Sequence, residues 1–198
     1  MKLLLSIDMK NYKTDGTMVE RPSARGIFIK DHKIAMIHSL EYDYYKFPGG
    51  GIKKGESQTD ALIREVREEA GLIVIPDSIK EYGYVHIIEK GNKEDIFVQD
   101  NYYYLINCDE NIVPPELDEY EKEEKFTLEF VLPTYAMAVN MKCVNDLKKM
   151  MMIDREDRVL ALLLKDHYFD WYYILKVFIF NLLYIIGGIR FFVSTKFS

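Results

Sequence analysis

The chain has 198 residues, a formal net charge of −6 and two cysteines, with a sequence pI near 5.3. That length buries one sizeable core with an appendage, and leaves little room for two full domains. The acidic balance excludes a nucleic-acid backbone as the main partner, because such binding draws on clustered Lys and Arg; a phosphorylated small molecule stays open if a cation mediates the contact.

Residues 1–22 read as a lead-in. The apolar run from Leu3 to Leu5 meets Asp8 too early for a secretory signal, and Asp15-Gly16 and Pro22 mark turns. Cys108 and Cys143 show no CxxC spacing, so a disulfide scaffold is not expected and a reducing, cytoplasmic setting is. From Ala24, the runs RGIFI and KIAMIHSL flank Lys30-Asp31-His32 and predict a two-stranded hairpin. Tyr42, Tyr44, Tyr45 and Phe47 follow, and Pro48-Gly49-Gly50-Gly51 must end regular structure. Successive glycines let the main chain pass close to a ligand, which makes Gly49 and Gly50 candidate substrate contacts.

A helix is predicted over 58–70, opened by Ser57 with Asp60 three residues on and closed by Gly71 as a left-handed cap. Leu62, Ile63, Val66 and Ala70 share the side that should pack on a sheet. Glu65, Glu68 and Glu69 fall on another arc, about 100° wide, turned away from that stripe. Strands are expected at 73–75, 81–89 and 96–108, the last two as a hairpin across Gly91-Asn92-Lys93. Residues 109–125 read as an acidic surface loop, 126–132 as a strand, 134–144 as a helix opened by Pro133, and 155–168 as a closing helix. Together these predict a mixed α/β sandwich with its main domain over 23–145 and a C-terminal helix over 146–170.

The segment 171–198 is an apolar and aromatic tail interrupted by Lys176, Asn181, Gly187-Gly188 and Arg190. A membrane helix needs ~20 apolar residues, so three readings stay open: packing on the domain or on a second copy in a homodimer, membrane association, or a disordered end.

Three glutamates at i, i+3 and i+4 repel one another by a few tenths of a kcal/mol per pair on a bare helix. They are either a solvated face relieved by Arg64 or the ligand set of a hard divalent cation, which takes carboxylate oxygens together with substrate phosphates. Across residues 50–72, Gly50, Glu56, Arg64, Glu65, Val66, Glu68, Glu69, Gly71 and Leu72 stand at the spacing of the Nudix box without departure. The stretch therefore resembles the signature of the Nudix hydrolases.

That resemblance implies an α/β/α sandwich with a mixed sheet and the Mg²⁺- or Mn²⁺-dependent cleavage of a diphosphate in a nucleoside diphosphate linked to another group. It implies Glu65, Glu68 and Glu69 as metal ligands, Glu65 and Glu69 chief among them, and Arg64 paired with Glu56 at the loop–helix corner. The general base is a helix glutamate or a later one: Glu129 in LEFVLP is a candidate base or fourth ligand, beside Glu121, Glu123 and Glu124. Arg21 and Arg25 are candidate phosphate contacts, and Tyr44, Tyr45, Phe47 and Tyr102 to Tyr104 are either core or a stacking surface for a nucleobase. A second reading keeps the box but only senses its ligand, docking through the tail.

Overall fold

The computed structural model describes residues 1–143, 147–170 and 175. The readings of the tail as packed, dimeric, membrane-bound or disordered thus fall outside the described residues, Leu175 apart.

The strands are β1 (Leu3–Asp8), β2 (Met18–Glu20), β3 (Ser23–Ile27), β4 (Ile29–Lys30), β5 (Lys33–Ser39), β6 (Tyr44–Lys46) and β7 (Gly49–Gly51). After helix α1 (Gln58–Ala70) come β8 (Leu72–Val74), β9 (Lys80–Glu89), β10 (Ile96–Leu105) and β11 (Cys108–Ile112). The chain closes with α2 (Glu119–Glu123), β12 (Phe126–Val131), α3 (Pro133–Asn140) and α4 (Leu147–Lys165). The main sheet runs β1-β9-β10-β3-β7, with β2 also on β10, and it mixes parallel pairs (β1 with β9, β3 with β10) and antiparallel ones (β9 with β10, β3 with β7). A second sheet joins β12, β5, β4 and β6, and β8 pairs with β11.

Period-2 alternation sends one residue to each face of a strand, and here both faces are covered. Ala24 of β3 and Ala35 and Ile37 of β5 meet Leu62, Val66 and Ala70 of α1. Their neighbours Ile27, Ile34 and Met36 join Val159, Leu160 and Leu163 of α4 and Val139 of α3. The result is the expected α/β/α sandwich with a mixed sheet. Each fully buried Leu or Val in these clusters contributes about 1.5–3 kcal/mol.

Helix α1 begins and ends where expected. Ser57 Oγ accepts the Asp60 N–H at 3.0 Å, and Gly71 sits at φ 66° as the left-handed cap. Other expectations need correction. Leu3–Asp8 is a strand parallel to β9 and Met18–Glu20 pairs with β10, so the lead-in is partly built into the sheet. The first hairpin is β4 with β5; β3 crosses to the main sheet, and Asp31 and His32 turn through positive φ. The acidic stretch 109–125 contains β11 and α2 rather than only a loop. Helix α4 starts at Leu147, eight residues before the expected helix over 155–168. Among the described residues no helix is long and apolar enough to cross a membrane.

Candidate active site

The corner between β7 and α1 is built from glycine backbone and charged side chains. Gly49 has φ 138°, a conformation that L side chains rarely adopt, and its N–H donates to Glu69 Oε2 at 2.8 Å. A Cβ on Gly50 would lie 2.2 Å from Glu65 Oε2, so only glycine lets this carboxylate lie against the strand. Arg64 fastens the corner from the helix side. It donates to Glu56 through Nε at 2.7 Å and Nη2 at 2.9 Å, and to the Gly51 carbonyl at 3.1 Å. Its Nη1 reaches Glu65 Oε1 at 2.5 Å and Glu68 Oε2 at 3.0 Å. Glu56 also accepts the Lys53 N–H, and the Arg64 guanidinium, the larger influence, holds its carboxyl down at about 2.

Glu65, Glu68 and Glu69 line one cavity of about 330 Å³ together with Arg21, Lys53, Arg64 and three further carboxylates, Glu116, Asp118 and Glu121. Glu69 departs from its expected place on an outward arc. It is 2% exposed, held by the Gly49 N–H and by Lys46 Nζ at 2.5 Å. Burial pushes its carboxyl up to about 7, against the opposing pull of Lys46.

Glu121 reaches the cavity from α2. It is buried, its Oε2 accepting the Asp118 N–H at 2.8 Å in a capping box and its Oε1 the Tyr120 hydroxyl. The pattern Asp118-x-x-Glu121 in the sequence is the signal that would have singled it out from its neighbours. Glu129 stands elsewhere: it takes the Tyr45 hydroxyl at 2.7 Å and lies 2.9 Å from His38 Nδ1, whose ring stacks on Tyr45, and it does not line the cavity. Glu123 is exposed.

A second cavity, about 310 Å³, adjoins it at β7, and Arg21 and Gly49 to Gly51 border it. It carries Arg25, Lys46 and Lys149 with the rings of Tyr44, Tyr120 and Phe126, and Gln99. Arg21 and Gly51 line both cavities. Arg25 is buried and committed to the main chain, donating to the Gly49 carbonyl at 3.2 Å and the Phe47 carbonyl at 3.4 Å. Behind it, α4 supplies the buried pair Arg155 and Glu156; Glu156 Oε2 accepts the Phe47 N–H at 3.3 Å, and Arg155 donates to Asn101 at 2.6 Å. Lys149 binds Glu124 at 3.2 Å and covers the Tyr42 ring. The tyrosine run divides as alternation requires: Tyr103 is buried in the cluster with α3 and α4, and Tyr104 in the cluster with α1, where its hydroxyl bonds Gln58.

The donor chemistry suits a hard divalent cation, since six carboxylates face three cationic side chains around the first cavity. Among the described residues no three His, Cys, Asp or Glu groups stand together to hold an ion. Each helix glutamate is ion-paired, Glu65 and Glu68 with Arg64 and Glu69 with Lys46.

Comparison with known proteins gives a consistent picture. The pattern of the NUDIX domain matches residues 20–146. An uncharacterized Nudix hydrolase, YvcI, from Bacillus subtilis is 34% identical over 62 residues, covering 31% of this chain and 39% of that protein. An ADP-ribose pyrophosphatase from Methanocaldococcus jannaschii is 32% identical over 75 residues, covering 36% of this chain and 43% of that protein. The chain thus spans about two fifths of the length of these curated relatives. Among solved structures, a NUDIX hydrolase from Nitrosomonas europaea aligns over 69% of this chain and 87% of its own at TM-score 0.48 and 16% identity. The E. coli ORF135 protein aligns over 62% and 80% at TM-score 0.45 and 20% identity.

Proposed function

The chain belongs to the NUDIX domain family, and we propose that it is a pyrophosphatase-type hydrolase that cleaves the diphosphate of a nucleoside diphosphate linked to another group. One observation carries this reading: an acidic cavity and a basic, aromatic-lined cavity adjoin at the glycine strand β7, where Arg21 and Gly51 line both. A diphosphate lying along that strand meets carboxylates on one side and cations on the other.

Glu65, Glu68 and Glu69, with Glu121 as a further donor, are the residues that would hold Mg²⁺ or Mn²⁺. Such an ion, when bound, neutralises charge developing on phosphate oxygens and makes bound water a better nucleophile. The remaining work falls to the chain. Arg64 and Glu56 fix the corner so that Glu65 stays against Gly50. Arg25 and Glu156 brace the main chain from Phe47 to Gly49 from behind, which keeps that strand in register for the substrate. Arg21, exposed at the junction, is placed to meet a phosphate oxygen. Arg25 lies against the pocket but is already committed to carbonyls, so its contribution is to position rather than to bind.

Glu68 is the most open of the three helix glutamates, with 35% of its side chain exposed, and suits the role of accepting the proton of the attacking water at phosphorus. The rings of Tyr44, Tyr120 and Phe126 offer the apolar surface that a nucleobase needs. The name of the Methanocaldococcus jannaschii relative points to ADP-ribose as the first compound to try.

The test is a metal-titrated assay of the full chain against nucleoside diphosphate sugars, dinucleoside polyphosphates and nucleoside triphosphates, with the products identified. Metal-dependent release of a nucleoside monophosphate and a second phosphate product is expected. Tight binding of a nucleotide without product would instead favour a ligand-sensing domain.

A further inference from the structure

Lys46 stands in the wall between the two cavities. Its Nζ lies 2.5 Å from Glu69 Oε1, on the acidic side, and the same side chain lines the basic pocket. It is 6% exposed, and its ammonium sits 4.7 Å from the centre of the Phe126 ring. A lysine is rarely buried to this extent unless a carboxylate compensates it. Glu69 is that carboxylate, and it is also one of the groups that would hold the metal.

Both oxygens of the buried Glu69 are engaged, Oε1 by Lys46 and Oε2 by the Gly49 N–H, so a divalent cation that takes Oε1 meets the Lys46 ammonium as a like charge at close range where little water screens it. Resting on the metal site proposed above, we infer that Lys46 is a resident counter-ion of Glu69 that a divalent cation displaces, and that its freed ammonium then serves the adjoining basic pocket that its side chain already lines. The pocket gives it a destination, since Arg21 and Lys149 line it and make that side basic. Lysine is the residue type fitted to such a move, for a compact ammonium on a flexible four-carbon stem can be re-aimed, whereas the planar fork of arginine is held by bidentate geometry. The cation on one side and the anion on the other then favour each other, for both require Lys46 to leave Glu69, and the coupling is reciprocal by linkage. In the ion-free protein the same contact keeps the buried Glu69 compensated and the corner intact.

The test uses the full chain without substrate. Mn²⁺ binding is titrated by electron paramagnetic resonance at pH 8 for the wild type, K46M and K46R. K46M should bind Mn²⁺ more tightly, by roughly 5-fold or more, the low end of ordinary site–site coupling; K46R, which keeps a cation against Glu69, should not. In the Mn²⁺-loaded protein, K46M should bind inorganic phosphate several-fold more weakly than the wild type.

A second measurement needs no variant. Acetylation of Lys46, read by peptide mapping of the wild type, should speed up several-fold when Mn²⁺ is added, while the exposed Lys10 and Lys93, which line neither cavity, serve as references. Equal Mn²⁺ affinity in wild type and K46M, or Lys46 labelling that ignores Mn²⁺, would overturn the inference and leave the metal site standing. Failure of Mn²⁺ to bind either protein would overturn the metal site itself, and the displacement with it.

Discussion

Replacing Glu56 by Gln isolates the contribution of the loop–helix corner. In the wild type, Glu56 takes two hydrogen bonds from Arg64, at 2.7 and 2.9 Å, and a third from the Lys53 N–H at 2.8 Å. Glutamine keeps one oxygen acceptor and loses the charge, so one Arg64 bond disappears and the others become ordinary. A charge-assisted bond is worth about 1.5–3 kcal/mol, and water at this partly exposed site recovers part of the loss. The net destabilisation at pH 7 is therefore about 1–2 kcal/mol, or about 2–8 °C in Tm for a domain of this size.

The effect carries a pH signature. The folded-state carboxyl is held down at about 2, below its ordinary value of 4.5. Stability from a depressed carboxyl is fully present above the unfolded value and is lost as pH falls through the folded value. The gap between wild type and Glu56→Gln should hold steady from pH 7 to about 5 and close progressively towards pH 2. Urea unfolding at pH 7, 5, 3.5 and 2.5 reads this directly. A gap that does not change with pH, or no gap at pH 7, would refute the assignment of Glu56 and Arg64 as the clamp of the corner.

Two further substitutions probe neighbouring features. Gly50→Ala places a Cβ 2.2 Å from Glu65 Oε2, the far end of a flexible side chain; turnover should fall at least several-fold while thermal stability shifts little, and unchanged turnover would count against Glu65 lying on the reaction path. Asp157→Asn tests a different kind of carboxylate, one that burial pushes up to about 6 although Asn140 donates to it at 2.7 Å. Since its ionised form is disfavoured in the folded state, the variant should be more stable than the wild type above pH 6 and lose that advantage as pH falls towards 4, which urea unfolding at pH 8 and pH 4 would show.

How much of this was legible in the sequence depended on whether the signal was local. Helix α1 was, to the residue, because Ser57, Gly71 and the stripe of Leu62, Val66 and Ala70 act within a few residues of one another. The β9–β10 hairpin was legible for the same reason. Strand β1 was not: six residues pair in parallel with a partner some eighty positions away, and nothing near Leu3 announces it. The start of α4 was hidden in LKKMMMID, which lacks a clean apolar period.

In the site, the box spelled out the corner, but charge type misled about burial. Glu69 looked outward on a helical wheel and is buried because Lys46 and the Gly49 N–H meet it there. Lys46 itself, a lysine beside aromatics, carried no signal without its distant partner. Glu121, read in an acidic loop, was marked only by its capping pattern with Asp118, and the path of α2 brings it to the cavity; Glu129, read in a strand, is taken to His38 by the register of β12 against β5.

The central claim is that the carboxylates at the glycine corner hold a divalent cation on which diphosphate cleavage depends. Its most direct test measures Mn²⁺ binding and turnover together in wild type and Glu69→Gln, with far-ultraviolet circular dichroism as the control for folding. The account predicts that the folded variant loses Mn²⁺ affinity and that metal-dependent turnover drops by on the order of 10²-fold or more. A folded Glu69→Gln protein that binds Mn²⁺ and turns over substrate as the wild type does would contradict it.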